Sequence, residues 1–234
     1  MRRMIFGLAA AGAAVLATAA AAQQQPVLVE LYTSQGCSSC PPADEVMAEL
    51  AGRDDVIALA LHVDYWDYIG WEDSFAVPAF GERQKSYART WHHKSVYTPQ
   101  MVVNGIDQVE GFRSMRVAQL IQQHRDADRR VSISLRRGEN GMLYLRLEAD
   151  PPLTRGAVVD LVRYAPQRTV EIEAGENAGR TATYHNVVTQ WTSVGEWDGQ
   201  VAVEMAFRAE GDDLTAVVVQ EREFGAVLAA ARPE

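Results

Sequence analysis

Apolar positions are distributed differently in the two halves of this chain. In the first half, short apolar runs alternate with stretches of helical spacing. Val27–Tyr32 is a β-prone run. Val56–Val63 is almost continuously apolar, as expected of a parallel strand buried on both faces. Between them, Val46, Met47 and Leu50 recur on one face of a predicted helix over Ala43–Ala51. Ser74–Trp91 has helical spacing, with Pro78 breaking or bounding it. Gln100–Val103 and Gln108–Glu110 flank Asn104-Gly105, a hairpin signal, and Ser114–Arg125 is amphipathic. The predicted order is β-α-β-α-β-β-α, an α/β domain over residues 23–128.

From Val131 onward strands dominate. The predicted ones are Val131–Leu135, Met142–Glu148, Ala157–Tyr164, Thr169–Glu173, Tyr184–Gln190, Gln200–Ala209, Thr215–Gln220 and Ala226–Ala230. Turn signals at Gly138–Gly141, Asp150–Pro152 and Gly211–Asp213 separate several of them. This spacing predicts an all-β, antiparallel sandwich-like domain over residues 129–234. The join at Asp126–Arg130 is short and charged, which predicts that the two parts pack together.

Residues 1–22 have the pattern of a cleaved export signal: Met1-Arg2-Arg3, an Ala/Leu/Val-rich stretch, then Ala20-Ala21-Ala22 before Gln23. A periplasmic location is expected, with no membrane attachment after cleavage. The formal net charge of −9 gives the chain no electrostatic reason to bind nucleic acid or anionic lipid.

The two cysteines of the chain are Cys37 and Cys40, in Thr33-Ser-Gln-Gly-Cys-Ser-Ser-Cys-Pro-Pro42 between the first strand and the first helix. A C-x-x-C at that junction is the arrangement of a thioredoxin-like redox site. Cys37 is expected to be the exposed nucleophile and Cys40 the resolving thiol, with Ser38 and Ser39 offering hydroxyl and N–H donors to the sulfur. Pro41-Pro42 predicts a regular helix that starts after the pair, and Asp44 and Glu45 oppose thiolate formation, so Cys37 should be moderately acidic. Two alternatives stay open. A staple across so short a loop stabilises by only about 2 kcal/mol, and a copper or zinc site would need His62 or His93 beside the thiolates.

Three stretches should converge at the sheet edge. Thr98-Pro99 precedes the predicted strand Gln100–Val103, the position of the cis-proline that faces the cysteines in thioredoxin-like proteins. Glu30, mid-strand, is a candidate to carry a proton to or from Cys40, with a solvent-facing edge position as the alternative. Tyr65, Trp66, Tyr68, Trp71 and Phe75 form an aromatic insert after the second strand, lining a substrate groove through Trp66 or packing a small lid of their own. In the second half, Arg180 of the polar loop Gly175–Arg180, or His185, is a candidate to reach the cysteine edge or bind an anionic group, with a plain turn carrying a solvated arginine as the alternative.

Val29–Asp44, His62-Val-Asp-Tyr-Trp66, Tyr97–Gly105 and Gly175–Arg180 resemble a family of exported bacterial proteins known as domain of unknown function 1223. The resemblance implies a thioredoxin-like domain followed by a β-rich one. It adds no substrate. The expected function is an exported thiol–disulfide oxidoreductase that uses the Cys37–Cys40 pair, with no other cofactor and no bound metal. The expected site is Cys37, Cys40, Pro99 and Glu30 for catalysis, with Thr98, Ser38, Ser39 and Trp66 for substrate. The expected partners are a protein or small-thiol disulfide and a periplasmic redox protein. The rivals are a metal carrier and a redox-inert interaction module.

Overall fold

The computed structural model describes residues 25–234, so the leader expected over residues 1–22 lies outside the described residues. The central strand is β1 (Val27–Thr33), buried along its whole length. It pairs in parallel with β2 (Val56–His62) and antiparallel with β3 (Gln100–Val103), so both its edges are covered. The Asn104-Gly105 turn joins β3 to β4 (Asp107–Glu110) with both residues at positive φ, which is what this dipeptide allows. Asn104 also locks the turn to the sheet by accepting the Leu28 N–H at 2.8 Å.

Alternation along β1 sends residues to two different cores. Val27, Val29 and Leu31 face helices α1 (Pro41–Ala51) and α3 (Ser114–Arg125), packing on Met47, Leu50, Leu120 and Ile121. Leu28 and Tyr32 face the other way, toward Phe80 and Tyr87 of α2 (Pro78–Thr90). Pro78 therefore opens this helix, at a position where no N–H is required. Burial of Met47 and Leu50 contributes about 1.5–3 kcal/mol each and seats α1, and with it the cysteine loop, on the sheet.

The remaining strands are β5 (Val131–Arg137), β6 (Met142–Ala149), β7 (Ala157–Ile172), β8 (Arg180–Trp197), β9 (Val203–Arg208), β10 (Leu214–Glu221) and β11 (Val227–Ala231). One sheet runs β11-β10-β7-β8-β2-β1-β3-β4, and a second runs β5-β6-β9. The change from α/β to all-β near residue 128 is visible in chain order, but it is no gap in space. β8 joins β2 in parallel at Val187 and Ala60, and the Asn186 side chain donates to the Ala58 carbonyl at 2.9 Å, so strands of both halves share the large sheet. The small sheet lies over the far end of the large one, with Leu135, Leu143 and Leu147 against Val159, Val217 and Ala229, giving that end its sandwich character.

Two predicted strands, Ala157–Tyr164 and Thr169–Glu173, are one strand, β7. Its partner β8 extends well beyond Tyr184–Gln190 at both ends. Pro166 interrupts the periodicity but sits exposed within the hairpin, and shifts of register at Val159/Asp160 and Arg163/Tyr164 absorb the irregularity. At about 3.3 Å per residue the sixteen residues of β7 span roughly 50 Å. That length carries the hairpin tip from the sandwich end to the cysteine loop.

Candidate functional site

The loop after β1 descends into α1 through successive tight turns. The Cys37 N–H donates to the Ser34 carbonyl at 3.1 Å, Cys40 N–H to Cys37 O at 3.2 Å, and the N–H groups of Ala43 and Asp44 to Cys40 O at 2.8 and 3.1 Å. Cys40 caps the helix and Pro41 begins it, as the double proline predicts. Cys37 and Cys40 are joined by a disulfide. Ser38 and Ser39 are exposed, and the Ser39 hydroxyl lies 3.5 Å from Cys37 Sγ.

Cys37 is not the exposed nucleophile expected of it. It is 1 % exposed and Cys40 is fully covered. The far half of the chain closes on this loop: Asn177, at the β7–β8 tip, donates through Nδ2 to the carbonyls of Gln35 (2.8 Å) and Cys37 (3.0 Å). Gln35 is held in turn by Asp73, which accepts its N–H at 2.8 Å, and by Trp71, whose indole N–H donates to its side chain at 2.7 Å. The tip does reach the cysteines, but through Asn177. Arg180 contacts Asn177 Oδ1 at 3.4 Å, and His185 lines the cleft behind it.

Trp66 and Thr98 come together as expected, with the indole N–H donating to Thr98 Oγ1 at 2.7 Å. The Thr98-Pro99 bond is cis. A Cβ placed on Gly36 would lie 3.3 Å from Trp66 Cβ, and one on Gly111 would lie 2.7 Å from Ala43 and 3.3 Å from Pro99. Glycine at both positions lets the proline loop and the aromatic insert close on the cysteine loop and the first turn of α1. Tyr68 is exposed and stacks near Trp66, so part of the insert stays open to solvent.

Glu30 does not serve this site. By alternation and by its partners it shares the α2-facing side of β1 with Leu28 and Tyr32, while the apolar face of α1 packs on the opposite side. Its carboxylate accepts from Arg83 at 2.7 and 3.0 Å and from the hydroxyls of Tyr32 (2.9 Å) and Tyr87 (2.7 Å). The acid beside the disulfide is Asp44. One helical turn after Cys40, it occupies the same face of α1 and accepts the Thr33 hydroxyl at 2.8 Å. Burial pushes its carboxyl up to about 8, with the Thr33 hydroxyl pulling the other way and the Asp73 charge adding to the rise. The sequence signal for it was its spacing from Cys40, four residues on.

Thr33 pairs with His62 across the parallel strands. His62 and Asp73 are fully buried and meet at 2.8 Å, Nδ1 to Oδ2. Nε2 of His62 has no partner among the described residues. The ring is edged by Phe75 at 5.4 Å and Tyr184 at 4.6 Å. Burial, then the charges of Asp44 and Asp73, push the Tyr184 hydroxyl up. Between α1 and the hairpin tip lies a cleft of about 300 Å³ bordered by Pro41, Asp44, Asn177, Arg180 and Tyr184. Among the described residues no three His, Cys, Asp or Glu side chains converge as a metal set. His62 is bonded to Asp73, and His93 meets Gln108 at 2.8 Å on the surface.

Fold and site together define a mixed α/β protein with a large multi-strand sheet, few helices and a C-x-x-C disulfide at the sheet edge. A family model described as "Protein of unknown function (DUF1223)" matches residues 28–220, and the chain belongs to that family. Among solved structures it is similar to protein AGR_C_4864 from Agrobacterium tumefaciens, at 29 % identity and a TM-score of 0.75, covering 90 % of this chain and 95 % of that one. It is also similar in fold to HBP35 of Porphyromonas gingivalis, at 14 % identity and a TM-score of 0.60, covering 89 % of this chain and 74 % of the other. No functionally curated protein matches.

Proposed function

We propose that this protein is an exported thiol–disulfide oxidoreductase of thioredoxin-like design, acting in the periplasm on a protein or small-thiol disulfide. The observation that carries the reading is the Cys37–Cys40 disulfide between the end of β1 and the start of α1, with Trp66, which holds Thr98, packed against the neighbouring Gly36. In the reduced form, the Cys37 thiolate attacks a substrate disulfide, forms a mixed disulfide and releases the first substrate thiolate. Asp44 then takes the proton from the Cys40 thiol. The Cys40 thiolate attacks Cys37 Sγ, the bond from Cys37 to substrate breaks, and the second substrate thiolate leaves. Two electrons pass from the cysteines to the substrate, and the enzyme is left with its disulfide. The reverse sequence oxidises a dithiol. Exchange begins when Asn177 releases the cysteine loop, and the β-rich half takes part through that hairpin tip.

The near-complete burial of both cysteines favours a second reading, a redox-inert interaction module stapled at this loop. One measurement separates them. Equilibration of the protein with glutathione or dithiothreitol redox buffers gives the Cys37/Cys40 potential. We expect a value above about −300 mV, the level below which structural disulfides lie, and disulfide exchange with a model substrate that Cys37→Ser abolishes. A pair that resists reduction down to that level selects the staple.

A further inference from the structure

On the α2 side of the sheet, away from the disulfide, a cavity of about 480 Å³ lies between α2 and strands β7, β8 and β10. Phe80, Val158, Trp191 and Phe224 border it, so most of its wall is apolar. Asp160 also borders it. This carboxylate is only 7 % exposed and accepts one hydrogen bond, from the Trp191 indole N–H at 2.8 Å.

Arg83 also borders the cavity and its charge reaches Asp160 through space, but the hydrogen bonds of the charged groups around Asp160 are committed elsewhere. Arg83 stacks on the Trp191 ring at 3.8 Å, but its N–H groups go to Glu30, Tyr87 and Gln220. At the rim, Glu82 has Lys85 at 2.8 Å, and Glu221 and Glu223 have Arg155 at 3.6 and 2.8 Å. Among the described residues Asp160 forms no salt bridge. An unpaired carboxylate in apolar surroundings costs several kcal/mol unless it takes up a proton or meets a cation, and an indole N–H supplies a hydrogen bond without the charge. The cavity has the size of a small-ligand site. Glu223 and Phe224, consecutive residues at φ 61° and 57°, hold the turn that brings the Phe224 ring to its wall. Such conformations in non-glycine residues gather where a ligand is clamped.

We propose that this cavity binds a small organic ammonium ion with an apolar or aromatic body. The ammonium pairs with Asp160, and the body lies against Phe80, Val158 and Phe224, where aromatic faces also favour the cation. The inference rests on neither the redox reading nor the disulfide.

Isothermal titration of the folded protein with 2-phenylethylammonium, and in parallel with the neutral 2-phenylethanol, tests it. We expect saturable one-to-one binding of the amine, about tenfold or more tighter than the alcohol. Asp160→Asn should weaken the amine by a similar factor and leave the alcohol unchanged. Val158→Phe, which fills the cavity and keeps the carboxylate, should block both, and it decides the matter should the Asn variant fail to fold. Equal affinity for amine and alcohol overturns the proposal. So does undiminished amine binding by either folded variant, or no saturable binding of this amine or of butylammonium.

Discussion

Two buried polar clusters lie on opposite faces of β1, and they are built on different rules. Toward α2, Glu30 is matched by a two-pronged Arg83 and by two tyrosine hydroxyls, and Gln220 of β10 accepts from Arg83 and donates to the Tyr87 hydroxyl. Toward α1, Asp44 has one hydroxyl partner and no cation within salt-bridge reach among the described residues. Close by, His62 keeps an unpartnered Nε2. The first cluster has each charge paired and ties α2 and β10 to the central strand. The second holds a proton-binding carboxyl one turn from a disulfide. A fully satisfied network rigidifies a fold, whereas an undersatisfied one beside reactive atoms is where chemistry is expected. Each cluster can be broken separately.

Arg83→Met should have the largest effect. It strands the Glu30 carboxylate in the core and costs about 3–5 kcal/mol of stability, because removing one partner of a buried pair leaves the other uncompensated. Denaturant unfolding measures the loss. In protein that remains folded, the Cys37/Cys40 potential should stay at the wild-type value. A shift in potential would couple the two faces and undo the contrast drawn between them.

Next comes the tie between the hairpin and the cysteine loop. Asn177→Ala removes both hydrogen bonds to the cysteine loop, worth about 1 kcal/mol each, along with the long contact to Arg180. These hold the loop more than they hold the whole fold. The rate at which dithiothreitol reduces the disulfide should therefore rise about tenfold or more, since each 1.4 kcal/mol is a factor of ten, while global stability falls by less than about 2 kcal/mol. An unchanged reduction rate would mean that Asn177 does not control access to the sulfurs.

These two variants also show what was legible in the sequence. The elements of the first half were readable because each apolar run has its own period and each turn its own chemistry: Val56–Val63 for β2, Asn104-Gly105 for the hairpin, Pro78 for the start of α2. That the stretches carrying Cys37, Trp66 and Thr98 would meet was readable because topology brings strand ends to one edge. The direction of Glu30 was not legible, because alternation divides β1 into two faces without saying which one α1 will cover. The residues that claim it, Arg83 and Tyr87, lie 53 and 57 positions away. Cys37 was expected to be exposed because the residue that helps cover it, Asn177, is 140 positions away at the tip of a hairpin whose length local propensity did not reveal. Local pattern carries the elements, and non-local pairing carries the environment of the site.

Asp44→Asn sharpens the comparison through pH. A carboxyl whose value rises from 3.8 to about 8 on folding binds its proton more tightly in the folded state than in the unfolded chain. Its contribution to stability is complete below about pH 4 and is lost as pH rises toward about 8. Wild-type stability should therefore decline across that window, and Asp44→Asn should flatten the decline and be the more stable protein above it. Unfolding curves at several pH values test the slope. The same variant should slow resolution of a mixed disulfide at Cys37, with no comparable effect on the first attack. An unaltered pH slope would remove Asp44 from the proton account.

Ser39→Ala should have the smallest effect, and it bears on which sulfur reacts first. The hydroxyl lies 3.5 Å from Cys37 Sγ in the oxidised protein, too long for a strong bond but close enough to donate once the disulfide opens and Cys37 carries charge. A net hydrogen bond of about 0.5–1.5 kcal/mol corresponds to roughly 0.4–1 pH unit in the thiol's ionisation. Removing the donor should raise the Cys37 value by about that much. Ser39 is exposed, so stability should move by less than about 0.5 kcal/mol. The pH dependence of alkylation of the reduced protein reads the shift directly. If Cys37 ionises as before and Cys40 alkylates first, the order of attack is reversed: the buried cap of α1 becomes the nucleophile, and Asp44, one turn away, acts in the first step instead of the second.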